Sequence, residues 1–219
     1  MYKLILFLFV IFAGSNILPQ VAINYKNYTD MKNTNAVYAF GDDIWAATSG
    51  GAFLYNASAD SFFMLTKTDG LTGSVITATA VDNSGKVWFG GSDGTINVYN
   101  PQTNIITPVL DIFNSERTQK QINELYVSGD TIYVSTAFGL SLVNTNSLFF
   151  YDTFSKFGTL TSNISVNSSL NSGLLYAATQ NGIAVQKPGT TNLLAPESWN
   201  IYQAADGISF SNVFKIKSF

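Results

Sequence analysis

The side chains that most often carry chemistry are sparse in this sequence. Its 219 residues contain no histidine and no cysteine. That removes histidine-dependent nucleophilic triads, the usual zinc sites and the commonest general base. It also removes disulfides and lipid attachment through a cysteine. The 14 acidic residues are scattered, and most sit where a turn wants aspartate for its local backbone hydrogen bonds: Asp42, Asp43, Asp82, Asp93 and Asp130. Asp82-Asn83-Ser84-Gly85 resembles part of a calcium loop but lacks the remaining ligands and the closing glutamate. Asp69-Gly70-Leu71 recurs as Asp206-Gly207-Ile208, which points to a structural loop. Neither a P-loop nor a GxGxxG after a strand is present. The sequons Asn27-Tyr28-Thr29 and Asn163-Ile164-Ser165 have meaning only in a glycosylating host. The sequence therefore offers no catalytic, cofactor-binding or metal-binding residue, and the expectation is a protein that is not an enzyme and holds no cofactor.

Composition narrows the class further. Residues are 46% hydrophobic, 14% aromatic and only 11% charged, with a net charge of −3. There is no basic face for nucleic acid and no polybasic membrane patch.

The scaffold is a repeat. Val75–Asn100 (VITATAVDNSGKVWFGGSDGTINVYN) reads as three short strands joined by tight turns, one carrying Trp88. Anchored on the second-strand aromatic, the copies fall at Trp45, Trp88, Tyr133 and Tyr176, spaced by 43, 45 and 43 residues. In each copy a glycine follows six residues later: Gly51, Gly94, Gly139 and Gly182. A glycine at a fixed offset marks a backbone position needing positive φ. Regular short strands would also serve a β-sandwich, but a period of about 40–45 residues with four strands per unit is the mark of a propeller blade.

The fold class expected is all-β, a β-propeller of four-stranded antiparallel blades, with about four blades and the start of a fifth. Residues 1–20 read as a secretory signal peptide: Lys3, an apolar run from Leu4 to Ala13, then small residues with a small-x-small pattern at Ala13 and Ser15. The run is short for a bilayer span, so no membrane span is expected after signal cleavage. Residues 21–34 resemble the tail of a repeat and are expected to form an outer strand that closes the ring. The blades are expected at 35–74, 75–121, 122–163 and 164–212, and 213–219 begins a fifth inner strand. On this reading the sequence is a piece of a longer protein.

Small residues Ala78, Ala80, Ser165 and Ser168 are expected to line a central channel, and the four aromatics to lie between blades. Two inserts break the period: Ile112–Gln121, the densest charge in the chain, and Gln186–Trp199. Loops on a rigid scaffold are where binding usually resides, although both also read as solvated connections.

The pattern D-x-x-G-x-hydrophobic-Trp in AVDNSGKVWFGGSDGTINVYN resembles the two-component-regulator propeller repeat of bacterial sensor ectodomains. The longer succession of IWAATSGGAFLYN, TKTDGLTG, GGSDGTINVYNP, QINELYVSGDTIYVSTAFGLSLVN, FYDTFSKFG and TNLLAPESWNIY is similar to the N-terminal β-propeller of PorZ-like proteins of the type IX (Por) secretion system of Bacteroidetes. That resemblance spans residues 22–219, and FYDTFSKFG and NLLAPESW are its most distinctive parts because they lie outside the generic repeat.

It implies a non-enzymatic component of the cell-surface attachment complex that assists a sortase-like protease and presents anionic lipopolysaccharide. It also implies a location at the outer-membrane surface. Full members carry two propellers and a C-terminal β-sandwich sorting domain. No motif in the chain identifies a ligand residue. The alternative is the periplasmic ligand-sensing propeller of a hybrid histidine kinase.

Overall fold

The computed structural model describes residues 29–218; the signal-peptide reading and most of the outer-strand reading of 21–34 lie outside them. Among the described residues sixteen strands form four separate antiparallel sheets, each in simple sequence order. The first holds β1 (Thr34–Phe40), β2 (Asp43–Thr48), β3 (Gly51–Asn56) and β4 (Ser61–Leu65). The second holds β5 (Ile76–Val81), β6 (Val87–Gly91), β7 (Ile96–Asn100) and β8 (Ile105–Val109). The third holds β9 (Ile122–Ser128), β10 (Thr131–Thr136), β11 (Gly139–Asn144) and β12 (Phe150–Phe154). The fourth holds β13 (Val166–Asn171), β14 (Leu175–Thr179), β15 (Gly182–Gln186) and β16 (Trp199–Tyr202). Among the described residues this is a partial β-propeller of four blades, and none of these sheets closes on itself.

Each strand alternates its side chains between the two faces of its blade, and three apolar clusters fill the three spaces between blades. Trp45 packs with Val81, Val87, Phe89 and Tyr99 of the second blade. Trp88 packs with Leu125, Ile132 and Val134 of the third. Tyr133 packs with Leu175, Ala177 and Trp199 of the fourth. The fourth aromatic, Tyr176, is only half-buried, because it lies on the face of the last described blade, where no further sheet covers it.

The repeated glycines do not all do the same work. Gly51, Gly139 and Gly182 have φ of 130°, 144° and 110° and open the third strand of their blades. A Cβ there would lie 2.2–2.3 Å from the carbonyl oxygen of Leu65, Phe154 or Tyr202 in the neighbouring outer strand. The preceding turn is held by a threonine hydroxyl, Thr48, Thr136 or Thr179, donating to the glycine carbonyl at 2.8 Å. In the second blade Gly91 takes the threonine's place, the turn is one residue longer, and its bond runs from Gly91 N–H to Thr95 O at 2.8 Å. Gly94 thus shares the sequence offset and a positive φ of 88°, but it sits against Ile112 and Lys120.

Candidate functional site

The inner strands β1, β5, β9 and β13 share a local irregularity that positions everything around the axis. Each carries a β-bulge at its second residue, at Asn35, Thr77, Asn123 and Asn167. A bulge leaves one residue out of the ladder and re-aims its side chain. Here the freed side chain donates to the backbone of the next inner strand: Asn35 to Ile76 O (2.7 Å), Thr77 to Ile122 O (2.6 Å), Asn123 to Val166 O (2.8 Å) and Asn167 to Val213 O (2.9 Å). These four rungs tie neighbouring blades together at one height.

The last rung shows where residues 213–218 lie. They are not a β-strand, contrary to the sequence expectation, but Val213 occupies the register of Ile76, Ile122 and Val166. Val213 N–H also donates to Thr179 O, and Ile216 N–H to Ser168 Oγ. The segment takes the inner place beside the fourth blade without the partner strand that would complete a ladder.

The inner strands and this segment line a half-open channel of about 640 Å³. Its wall includes Asn35, Thr77, Asn123 and Asn167, the aromatic rings of Tyr38, Tyr126 and Phe214, and the charged side chains of Glu124, Lys215 and Lys217. Of the small residues expected to line it, Ala78 does. Ala80 packs instead into the apolar cluster around Trp88, Ser168 is buried, and Ser165 receives a bond from Asn123. Glu124 accepts from Ser169 N–H at 2.8 Å and pairs with Lys215. Burial and, secondarily, the neighbouring Lys217 hold the Lys215 ammonium below its ordinary value.

The turn that resembled a calcium loop has its carboxylate fully engaged. Asp82 is buried; one oxygen accepts from Ser84 N–H, Ser84 Oγ and Lys86 N–H, and the other from Trp88 Nε1 at 2.9 Å. It anchors the indole at the blade interface. The two Asp-Gly loops also match: Asp69 accepts from Thr66 N–H and Asp206 from Gln203 N–H, both at 2.8 Å, ahead of Gly70 and Gly207 at φ 113° and 94°. Among the described residues no group of three or more acidic, His or Cys side chains is placed to hold a metal.

The two inserts lie in connections at opposite rims, since one joins β8 to β9 and the other joins β15 to β16. The first is more than a solvated connection. It contains a short helix, α1 (Asp111–Asn114), seated by the buried Ile112. Its Arg117 lies 4.0 Å from the centre of the Phe138 ring and donates to Asn163 Oδ1 at 2.9 Å. It therefore straps the second blade to the third and to the loop entering the fourth.

The second insert meets the other distinctive segment. After β12 the chain returns along the outer flank of β16, where Phe157 packs edge-on to Trp199 at 4.9 Å and Gly158 N–H donates to Pro196 O at 3.0 Å. Trp199 Nε1 donates to Leu193 O at 2.9 Å. FYDTFSKFG and NLLAPESW, some forty residues apart in sequence, thus form one surface between the third and fourth blades.

A search of the curated proteins returns no match. Among solved structures, PorZ of Porphyromonas gingivalis, described as an essential bacterial surface component of the type IX secretion system, gives a TM-score of 0.67. It is 17% identical over 80% of this chain and 23% of its own. The extracellular domain of a putative hybrid two-component system from B. thetaiotaomicron gives 0.68 at 16% identity, over 87% of this chain and 25% of its own. The computationally designed Ika4 protein, covered over 100% of its length, gives 0.54 at 12% identity. At these identities the likeness shows the fold, and the chain spans 23–25% of the length of the first two. The family model for the type IX secretion PorZ N-terminal β-propeller domain matches residues 44–200, Ile44 in β2 through Asn200 in β16. The chain belongs to the PorZ N-terminal β-propeller family.

Proposed function

We propose that this propeller is a non-enzymatic binding and scaffolding module of the type IX cell-surface attachment complex. In this reading it assists the sortase-like protease and helps present anionic lipopolysaccharide at the outer-membrane surface. Family membership over residues 44–200 carries the proposal. The pairing of FYDTFSKFG with NLLAPESW supports it, because the segments that distinguish this family from generic propellers build a common surface. No described helix is long and apolar enough to cross a membrane. Disrupting the gene and following secreted cargo tests the role. Cargo should accumulate with its C-terminal signal uncleaved and fail to attach to the surface; normal cleavage and attachment would refute it.

The structural likeness to the two-component ectodomain, over 87% of the chain, favours one second reading: a ligand-sensing periplasmic propeller with its ligand in the channel. Reading the gene onward separates the two. A second propeller and a β-sandwich domain support secretion, whereas a membrane span leading to a kinase core supports sensing.

A further inference from the structure

Asparagine is a chemically labile residue, most of all where the backbone nitrogen that follows it is unobstructed. Of all the asparagines in the sequence, Asn181 is the one followed by glycine. With no Cβ on Gly182, no side chain crowds that nitrogen. Asn181 stands at the tip of the turn that joins β14 to β15, Thr179-Gln180-Asn181-Gly182.

The register sets it apart from its counterparts. Two residues after the turn threonine and one before the glycine, the first and third blades carry Gly50 and Phe138. Gly50 is buried, and a Cβ there would lie 2.6 Å from Asp30 O. Phe138 is buried beneath the Arg117 guanidinium. Asn181 is exposed. Phe138 turns toward the blade that precedes its own, in the cluster around Trp88. The blade that precedes Asn181 is the third, which is among the described residues, so this exposure does not come from the open face of the fourth blade.

We propose that Asn181 is a self-modification site, deamidated by the backbone nitrogen of Gly182 and water. Base removes the Gly182 N–H proton, and the nitrogen attacks Asn181 Cγ. The Cγ–Nδ2 bond breaks and ammonia leaves with a proton, closing a cyclic imide. Water then opens the imide at either carbonyl, leaving aspartate or, with the chain rerouted through Cγ, isoaspartate. Gly182 N–H donates to Ser211 O, so the attack waits until Ser211, in a stretch that is not a strand, swings away. Isoaspartate lengthens the main chain ahead of Gly182. Thr179 Oγ1 accepts from Asn181 N–H at 3.1 Å and donates to Gly182 O at 2.8 Å. The added carbon falls between those two partners, so one hydroxyl no longer serves both and the turn loosens.

The test ages the full protein at mildly alkaline pH and follows it by peptide mass spectrometry and by enzymatic methylation of isoaspartate. Asn181 should convert ahead of Asn83 and Asn171, each followed by serine. Its rate should rise with pH, as more of the Gly182 nitrogen loses its proton, and Asn181→Gln should lose the isoaspartate signal. Conversion of Asn181 no faster than that of Asn83 or Asn171 would overturn the proposal, a result the wild type gives whether or not the variant folds. So would conversion seen only in denaturant, or a signal that survives in Asn181→Gln.

Discussion

Asn167 and Val213 are joined by a 2.9 Å bond from the side-chain amide of a β-bulge to a backbone carbonyl, the fourth rung of a series that links each inner strand to the next. This rung differs from the others in having no ladder on its far side, because residues 213–218 are not a strand. Asn167→Ala should therefore release that segment. Hydrogen exchange at Val213 and Ile216 should accelerate while the β13 and β14 amides stay protected. Equal exchange in variant and wild type would show that the rung does not hold the segment.

Trp88 is completely buried between the second and third blades. Trp88→Ala should cost about 3–5 kcal/mol from lost burial and the cavity left behind. A denaturation midpoint unchanged from wild type would contradict its placement.

Asp82 keeps that indole satisfied and closes the β5–β6 turn. Asp82→Ala strands a buried Trp88 N–H together with the turn amides, so it should cost about 1–3 kcal/mol. Calcium should not change the melting temperature of the wild type, because the carboxylate is already committed to four donors.

Glycine substitutions separate space from backbone strain. Gly139→Ala would place a Cβ 2.2 Å from Phe154 O at φ 144°, whereas Gly129, at φ 60°, has nothing within 4 Å. Gly129→Ala should cost about 1 kcal/mol, and Gly139→Ala substantially more. Equal midpoints for the two variants would contradict the register of β11 with β12.

Burial raises the Tyr133 phenol above its ordinary value of 10.0, outweighing the bond from Asn171. An acid whose folded pKa is raised contributes stability below its unfolded pKa and loses it as pH climbs from there through the folded value. Stability should thus fall above about pH 10, and less steeply in Tyr133→Phe. Identical slopes in wild type and variant would contradict the burial.

Much of the fold was legible because propeller blades repeat the same constraint. The aromatic in each second strand must fill an inter-blade space, and a positive φ must follow it, so Trp45, Trp88 and Tyr133 with their glycines announce themselves. The same counting found the positive φ of Gly94 but could not show that its turn is one residue longer, with Gly91 in the threonine's place. The rungs stayed hidden because both Asn and Thr can make them and because a bulge carries no composition of its own. Nor could the meeting of Phe157 with Trp199 be read from sequence, since the intervening strands bring it about.

Affinity purification of the tagged full protein from its own cells decides whether this propeller serves the type IX attachment complex. Recovery of the sortase-like protease in a stable assembly with it is the expected result. Recovery without that protease, in company with a membrane-anchored kinase, would contradict the claim and make the propeller a sensor.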